Sequence, residues 1–373
     1  MRATDPREAY DAMRAEPLAR DASGRPVLCR HADVVAAATD PVTYSSAVSR
    51  FLQVPNGLDG EAHRAARALL DPFFAPERMA ALEPRVTGVA EQVVSDLPLD
   101  LPWDAVTEVG ARFAVRAQSV WLGWPADLEP TLLSWMEDNH AATRSGNLSR
   151  TAAVAEHFNS IIRSLLAVRR GPDAPDDLTA ELIRLRDADG DPLPDEVLVS
   201  VLRNWTGGDL GSLALCTGVV ARWLAVNPRH QHPLREAPDS QLDAAIDEIL
   251  RIDDPFVFNR RVTTTATTVG GQPIGAGERV VLNWTAANRD PAVFGDPDAF
   301  DPAANAAANL VYGTGPHVCP GRPLATLELR VLIRALLRRG RLEPGPQPPE
   351  RERPPVGGFR RVPVILRAFH GIH

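Results

Sequence analysis

The stretch Val311-Tyr312-Gly313-Thr314-Gly315-Pro316-His317-Val318-Cys319-Pro320-Gly321-Arg322-Pro323-Leu324-Ala325 constrains the fold more than any other part of the chain. Its three glycines and three prolines leave few backbone shapes open and few bulky side chains in the way, because proline fixes φ and glycine alone reaches positive φ cheaply. Such a loop can lie close against a flat ligand and turn several amide N–H groups toward one point. Just beyond it, Leu324, Leu327, Val331 and Ala335 recur on one face with arginines elsewhere, which predicts a helix over 324–337. Cys319 therefore sits immediately before a helix N-terminus, whose partial positive charge and free N–H groups favour thiolate over thiol.

A lone cysteine is ordinarily a small buried hydrophobe, and Cys29 and Cys216, which lie in apolar segments, read that way. Cys319 lies outside any periodic apolar segment. The loop is no phosphate cradle either. Val318 stands where Gly-x-Gly-x-x-Gly needs its last glycine, and the Walker lysine is missing because all 40 basic residues are arginine. Three cysteines with no Cys-x-x-Cys pair exclude a disulfide framework or a zinc finger. One thiolate in a shaped glycine loop suits a metal that takes a single strong axial donor, and heme iron is the best candidate.

Charge narrows the partners. With 48 acidic against 40 basic side chains the net charge is -8, which argues against nucleic acid or an anionic membrane as the main partner. No run approaches the roughly 18 consecutive apolar residues of a membrane span, and the first residues lack the apolar stretch of a secretory signal. The expected location is the cytoplasm. Exclusive use of arginine, with abundant alanine and 34 prolines, points to a GC-rich bacterial genome.

The first two-thirds of the chain carries apolar residues at three- and four-residue spacing and predicts helices over 61–70, 79–97, 151–170 and 194–225. The last of these is apolar on nearly every face, which predicts burial on all sides. Threonine- and valine-rich segments at 261–269, 278–282 and 362–366 predict short strands. Between them, 286–309 reads as a long irregular segment. The fold class is mainly α with small β-sheets.

The cysteine loop resembles the heme-binding signature of cytochrome P450, Phe-x-x-Gly-x-x-x-Cys-x-Gly, with Tyr312 in the phenylalanine position. Gly313, Gly315, His317, Cys319, Gly321, Leu324 and Ala325 match its longer bacterial form. Further matches follow in the family's order: His63-x-x-x-Arg67, Glu248-Ile249-Leu250-Arg251, Arg261, then Ala287-Asn288-Arg289-Asp290-Pro291 with Phe294 and Asp296-Pro297-Asp298. The resemblance runs from at least Asp59 to Pro363. It implies one cytochrome P450-like domain over 1–373, helical to about 255 and mixed β and heme-loop from about 256, with heme b (iron protoporphyrin IX) between the long buried helix and the cysteine loop.

Residue by residue, the resemblance makes Cys319 the proximal thiolate ligand, pushing electron density onto iron and favouring O–O cleavage. His63, Arg67, Arg261 and His317 would pair with the heme propionates, with Tyr312, Gly313 and Gly321 shaping the cofactor loop. Glu248 and Arg251 are structural; the meander position that completes them in the family falls on Ala304, and Asn309 stands where histidine is common, so a third contact looks absent. In the long helix the family carries Ala/Gly-Gly-x-Asp/Glu-Thr for proton delivery to iron-bound dioxygen. Here Trp205-Thr206-Gly207-Gly208-Asp209-Leu210-Gly211-Ser212 loses the threonine to Leu210 in one frame. In the other, Gly211 takes its place and Leu210 replaces the acid. Proton supply is then expected from water, substrate, Asp209, Thr206 or Ser212, with Gly207 and Gly208 leaving room for a diatomic ligand.

Family position also implies a distal, mostly apolar pocket from 42–56, 135–157, Trp205 to Asp209, Phe256, Val257, Phe258, Asn259 and Val356. The expected partners are a small or medium apolar-to-amphipathic organic substrate, dioxygen or hydrogen peroxide, and a separate ferredoxin and reductase, with Arg64, Arg322 and Arg330 as the docking cations. The leading functional expectation is a bacterial heme-thiolate monooxygenase performing hydroxylation, dealkylation or a related oxidation in secondary metabolism or catabolism. The altered helix keeps two alternatives open: a peroxide-dependent peroxygenase or specialised oxidase, and a non-catalytic P450-like partner of a biosynthetic enzyme.

Overall fold

The long apolar segment near the middle of the sequence becomes the axis of the protein. In the computed structural model, which describes residues 5–369, it forms one continuous helix, Asp195–Val226, started after Pro194 and stopped before Pro228. Leu198, Leu202, Leu213, Val220 and Leu224 lie in its buried shell. Among the described residues it is also the one helix long and apolar enough to cross a membrane by composition, yet 61% of its most apolar window is buried inside the protein.

Eight helices carry the site: α1 (Gly60–Leu70), α2 (Pro76–Ser95), α3 (Ala111–Leu122), α4 (Glu129–Ser145), α5 (Leu148–Val168), α6 (Asp195–Val226), α7 (Asp239–Ile252) and α8 (Arg322–Arg339). Helices α3, α5, α7 and α8 all pack on α6, while α8 lies chiefly against α2. One core cluster gathers side chains from Val54 to Leu366 around α6, and a second, with Leu28, Val34, Val280, Leu282 and Trp284, sits beneath the main sheet.

The strands are β1 (Ala19–Arg20), β2 (Pro26–Leu28), β3 (Tyr44–Ser45), β4 (Pro102–Asp104), β5 (Phe258–Thr263), β6 (Thr267–Val269), β7 (Gln272–Ile274), β8 (Arg279–Asn283), β9 (Arg341–Pro344), β10 (Glu350–Arg351), β11 (Phe359–Arg361) and β12 (Pro363–Arg367). The main sheet runs β1-β2-β8-β5-β3, a second runs β4-β12-β9, and β6-β7 and β10-β11 are two-stranded. Antiparallel pairing of β5 with β8 sets Arg261 opposite Val280. Strand alternation then buries Arg261 while Arg260 faces out.

The mainly helical expectation with small sheets holds, and two local expectations change. The strand expected over 261–269 is two strands, β5 and β6, the latter forming a hairpin with β7 through Gly270-Gly271. The segment 286–309 is not irregular throughout. Asn283, Asp290 and Asp301 each cap a short helical turn by accepting a backbone N–H from Ala286, Ala292 and Ala304.

Candidate functional site

The cysteine loop closes on itself through backbone bonds, Cys319 N–H donating to the Tyr312 carbonyl at 2.9 Å and Val318 N–H to that of Gly315 at 3.1 Å. Gly313 and Gly315 hold φ of +71° and +73°, and a Cβ on Gly315 would meet the Ala38 carbonyl oxygen at 2.6 Å, so only glycine fits there. The loop leaves Cys319 exposed although it lies deep in the fold. Burial raises its thiol above the ordinary value, opposed by the backbone N–H groups of Gly321 and Arg322. The helix start thus favours thiolate, as expected, but desolvation is the larger effect, and a bound metal cation is what would reverse the balance. Gly321 keeps the space beside Sγ open, its Cβ position lying 3.8 Å from Sγ and 3.7 Å from Phe74. Tyr312 carries the Arg322 guanidinium over its ring at 5.0 Å.

Beside the thiol lies a cationic cluster short of anions. His63, on α1, is buried with its Nε2 lacking any hydrogen-bond partner. Its ring lies 4.1 Å from that of His317. His317 bonds Ser46 Oγ at 3.0 Å and approaches Asp59 at 3.4 Å. Burial, then His63 and Arg261, push His317 down to about 4. Arg261 is buried and, among the described residues, donates only to the Arg260 carbonyl, with Asp59 the acid whose charge acts on it. A buried guanidinium beside one shared carboxylate wants a further anion, and two imidazoles whose charged forms burial disfavours lie ready to donate N–H bonds to it. Arg67 differs from expectation: it pairs with Asp71 at 2.5 Å and donates to the carbonyls of Val318 and Pro316 at 3.0 and 3.2 Å, clamping the loop. Asp59 and Ser46, which hold this cluster, carried no recognisable motif.

On α6 Gly208 is the exposed position, and the partly exposed Asn204, Gly211 and Ser212 lie on the same side of the helix. Gly208 has nothing within 4 Å of its Cβ position, and Ser212 is one turn further along the same face. Three expectations fail here. Thr206 is fully buried and returns its hydroxyl to the Leu202 carbonyl at 2.6 Å, so it faces away from the space. Trp205 packs against Phe73, Phe74 and Trp121 at 5.2–5.4 Å between ring centres, a core role rather than a substrate contact. Gly207 faces Trp135 and Phe158 of α4 and α5, which a Cβ there would meet at 3.6 and 3.9 Å, rather than open space for a ligand. Registering the family pattern on Gly208 instead puts Ser212 in the hydroxyl position and Gly211 in the acid position, a frame that neither sequence alignment considered.

Asp209 turns from that face toward α3 and α8. Gln118 Nε2 donates to its carboxylate, and Glu328 of α8, fully buried with no other partner, lies against it. Burial pushes Asp209 up to about 6, with Gln118 and Glu328 opposing; burial and then Asp209 push Glu328 well above its usual range. The acid expected to serve the pocket is thus partly exposed, shares a carboxyl pair with the fully buried Glu328, and lies close enough for its charge to bear on Cys319.

Among the expected substrate residues only Phe256 opens outward, 47% exposed. Val257 is core at 2% exposed. Phe258 stacks edge-on with Tyr10 at 5.7 Å, and Asn259 accepts the Trp284 indole N–H at 2.7 Å. Val356 packs partly buried against the main core. Glu248 and Arg251 form a buried bidentate pair at 2.7 and 2.9 Å. Arg251 also reaches the carbonyls of Asn288, Pro297 and Ala299. The third contact does exist: Asn305, one residue past Ala304, donates to Glu248 at 2.7 Å. Asn309 ties the loop to α7 through the Asp247 carbonyl at 2.9 Å.

The expected docking cations are largely spoken for. Arg330 is tied to Glu83 and Asp243; Arg64 and Arg322 are exposed but paired with Glu61 and Asp247. A cleft of about 430 Å³ between α2 and α8, lined by Glu83 and Arg330, does not touch Cys319.

Among the described residues no group of three or more His, Cys, Asp or Glu could hold a bare metal ion. What is present fits an iron macrocycle with acidic side groups: one open thiol, an orphaned buried imidazole nitrogen, a buried guanidinium lacking a paired carboxylate, and a helix face bared by Gly208. A family model described as Cytochrome P450 matches residues 240–366. The chain is 31% identical over 345 residues to Erythromycin C-12 hydroxylase of Saccharopolyspora erythraea, covering 88% of this chain and 85% of that one. It is also 31% identical over 353 residues to Vitamin D(3) 25-hydroxylase of Pseudonocardia autotrophica, with the same 88% and 85% covered. Among solved structures, the open form of cytochrome P450 EryK from S. erythraea superposes with a TM-score of 0.86 at 29% identity over 98% and 97% of the two chains.

Proposed function

This chain belongs to the cytochrome P450 family, and on that premise we propose that it is a heme-thiolate monooxygenase acting on a small to medium-sized apolar organic molecule. The family gives it an oxidoreductase activity of the monooxygenase type and a requirement for heme-thiolate iron. Heme b is the form proposed here, and when bound it supplies the iron centre at which dioxygen is activated and one oxygen atom is passed to substrate.

The chain's own residues divide the remaining work. Cys319 Sγ is the iron donor, its charge met by the N–H groups of Gly321 and Arg322. Gly313 and Gly315 shape the loop that carries it, and Arg67 clamps that loop through its carbonyls. His63, His317 and Arg261 take the macrocycle's carboxylates, which supply the anions their cluster lacks. On the opposite side Gly208 leaves room for a small ligand, and the Ser212 hydroxyl holds a proton on the open helix face. Phe256 offers an apolar contact for substrate. Trp205, Phe73 and Phe74 pack against one another and brace α6 from its buried side.

The reaction proposed is hydroxylation, dealkylation or a related oxidation in bacterial secondary metabolism or catabolism, in the cytoplasm and with electrons from a separate ferredoxin and reductase; similarity to Erythromycin C-12 hydroxylase and Vitamin D(3) 25-hydroxylase supports the oxidation itself. A peroxide-driven cycle is a second reading, favoured by one observation: the acid position on α6 is Gly211. A non-catalytic role has no support beside an open Cys319 and relatives that are hydroxylases.

The observation that carries the proposal is the open Cys319 thiol next to the anion-deficient His63–His317–Arg261 cluster. The test is the absorption spectrum of the reduced, carbon-monoxide-bound protein. Wild type is expected to show the strongly red-shifted band of a thiolate-ligated heme and Cys319→Ala to lose it; a band unshifted in wild type would sink the reading. Peroxide alone compared with a ferredoxin system, over a panel of apolar substrates, separates the two oxidant routes.

A further inference from the structure

Gly211 leaves an empty side-chain position on the open face of α6, and another residue fills it. A Cβ built on Gly211 would lie 3.0 Å from Nε2 of His140, on α4. Neither ring nitrogen of His140 has a hydrogen-bond partner among the described residues, and neither is one of the sealed polar atoms, so both open onto accessible space. The imidazole is therefore parked against the helix one residue before Ser212 with no structural bond to explain it. We propose that His140 is the proton-relay residue of this site, delivering protons through the Ser212 hydroxyl or an intervening water from the place where relatives of this pattern carry an acid on α6 itself.

The step is a proton transfer only. The N–H bond at Nε2 breaks as an O–H bond forms on water or Ser212 Oγ, the Ser212 proton passes on into the pocket, and the neutral ring regains a proton from solvent. Because His140 acts through Ser212 or water, it is a positioning and relay group. Its charged neighbours are Glu352, from the segment after β10, and Arg144, one turn on in α4. These two are themselves ion-paired at 2.8 Å, and on α6 the ring abuts Gly211. Burial is the main influence on the ring and lowers its pKa, with Glu352 raising and Arg144 lowering it. The donor form thus predominates only toward acid pH. Glycine at 211 lets the ring lie this close: a Cβ there would press on Nε2 at 3.0 Å, and a longer side chain would have to displace the imidazole.

The inference rests on the monooxygenase reading, so the experiment keeps the two apart. The first readout is stability, with or without heme. Gly211→Leu, whose side chain extends beyond the 3.0 Å contact, is expected to lower Tm, and Gly211→Leu combined with His140→Ala to recover most of the loss; strict additivity would remove the geometric basis. The second is dioxygen consumption without added substrate, fed by a surrogate ferredoxin and reductase across pH, on protein that shows the red-shifted carbon-monoxide band. Wild type is expected to slow as pH rises through a histidine ionisation. His140→Phe and His140→Gln should be slower by about tenfold or more and flat with pH. His140→Ala with Gly211→Asp should regain a pH dependence moved toward the carboxylate range. A wild type that consumes no dioxygen or is flat with pH overturns the proposal, as does His140→Gln behaving like wild type. Loss of the band in wild type would instead overturn the parent reading.

Discussion

Asp209 holds its carboxyl between Gln118 and Glu328, and burial pushes it up to about 6 from an ordinary 3.8. Between those values the folded state keeps a proton that the unfolded chain has released, so this group's stabilisation falls as pH rises from about 4 to 6, by about 3 kcal/mol at roughly 1.4 kcal/mol per pH unit. Glu328, raised well above its usual range, continues the same trend to higher pH. Thermal melts across pH 4–8 should therefore show Asp209→Asn removing the lower part of this decline and Glu328→Gln the upper part. Unchanged pH dependence in both would mean the carboxyls are hydrated rather than sealed. Gly315 permits a cleaner test at one residue. Gly315→Ala meets both the positive φ and the Ala38 carbonyl, so a loss of about 2 kcal/mol is expected, together with a reduced heme content per chain. A variant that melts and loads heme like wild type would contradict the loop geometry.

Elements show where sequence reasoning reached and where it stopped. The cysteine loop was legible because glycine and proline at fixed spacing encode backbone shape directly. Helix α6 was legible as a buried helix, but not in the frame of its face: each residue turns the face by 100°, so shifting the pattern by one position exchanges core for cavity. Thr206 and Trp205 fell on the wrong side for that reason, and His140 and Glu328 come from other elements that no local spacing marks. The Glu248–Arg251 pair makes the same point. Its third member was sought at Ala304, yet the Asp301-capped turn brings Asn305 instead. The pair is buried at 1% and 0% exposure. Arg251→Ala, leaving Glu248 without its cation, should cost about 3–5 kcal/mol. Asn305→Ala, removing one neutral donor, should cost about 1–2 kcal/mol. Chemical denaturation ranks the two, and an equal or reversed order would show that Asn305, not Arg251, is what Glu248 depends on.

At the scale of the whole molecule, the proposed cofactor would complete an electrostatic assembly that the chain alone leaves open. In the heme-free chain His317, pushed down to about 4 by burial and by His63 and Arg261, sits below its ordinary value near 6.5. Over that interval the unfolded chain binds a proton that the folded chain refuses, so this group's contribution is intact above about 6.5 and falls as pH drops toward 4, by about 3 kcal/mol. Asp209 has the opposite slope over much of the same interval, so heme-free wild type should show a shallow net dependence. Heme-free Asp209→Asn, stripped of that compensation, should become distinctly acid-sensitive between pH 6.5 and 4.5. On the proposed reading, bound heme would add its carboxylates to the cluster and raise both imidazoles, while Asp209 keeps its carboxyl pair. Melting heme-free and heme-loaded Asp209→Asn side by side across this range should therefore give a steep acid-side loss in the first and a flat or rising profile in the second. Parallel curves would mean that His63, His317 and Arg261 do not receive the carboxylates, and would leave Cys319 alone to hold the cofactor.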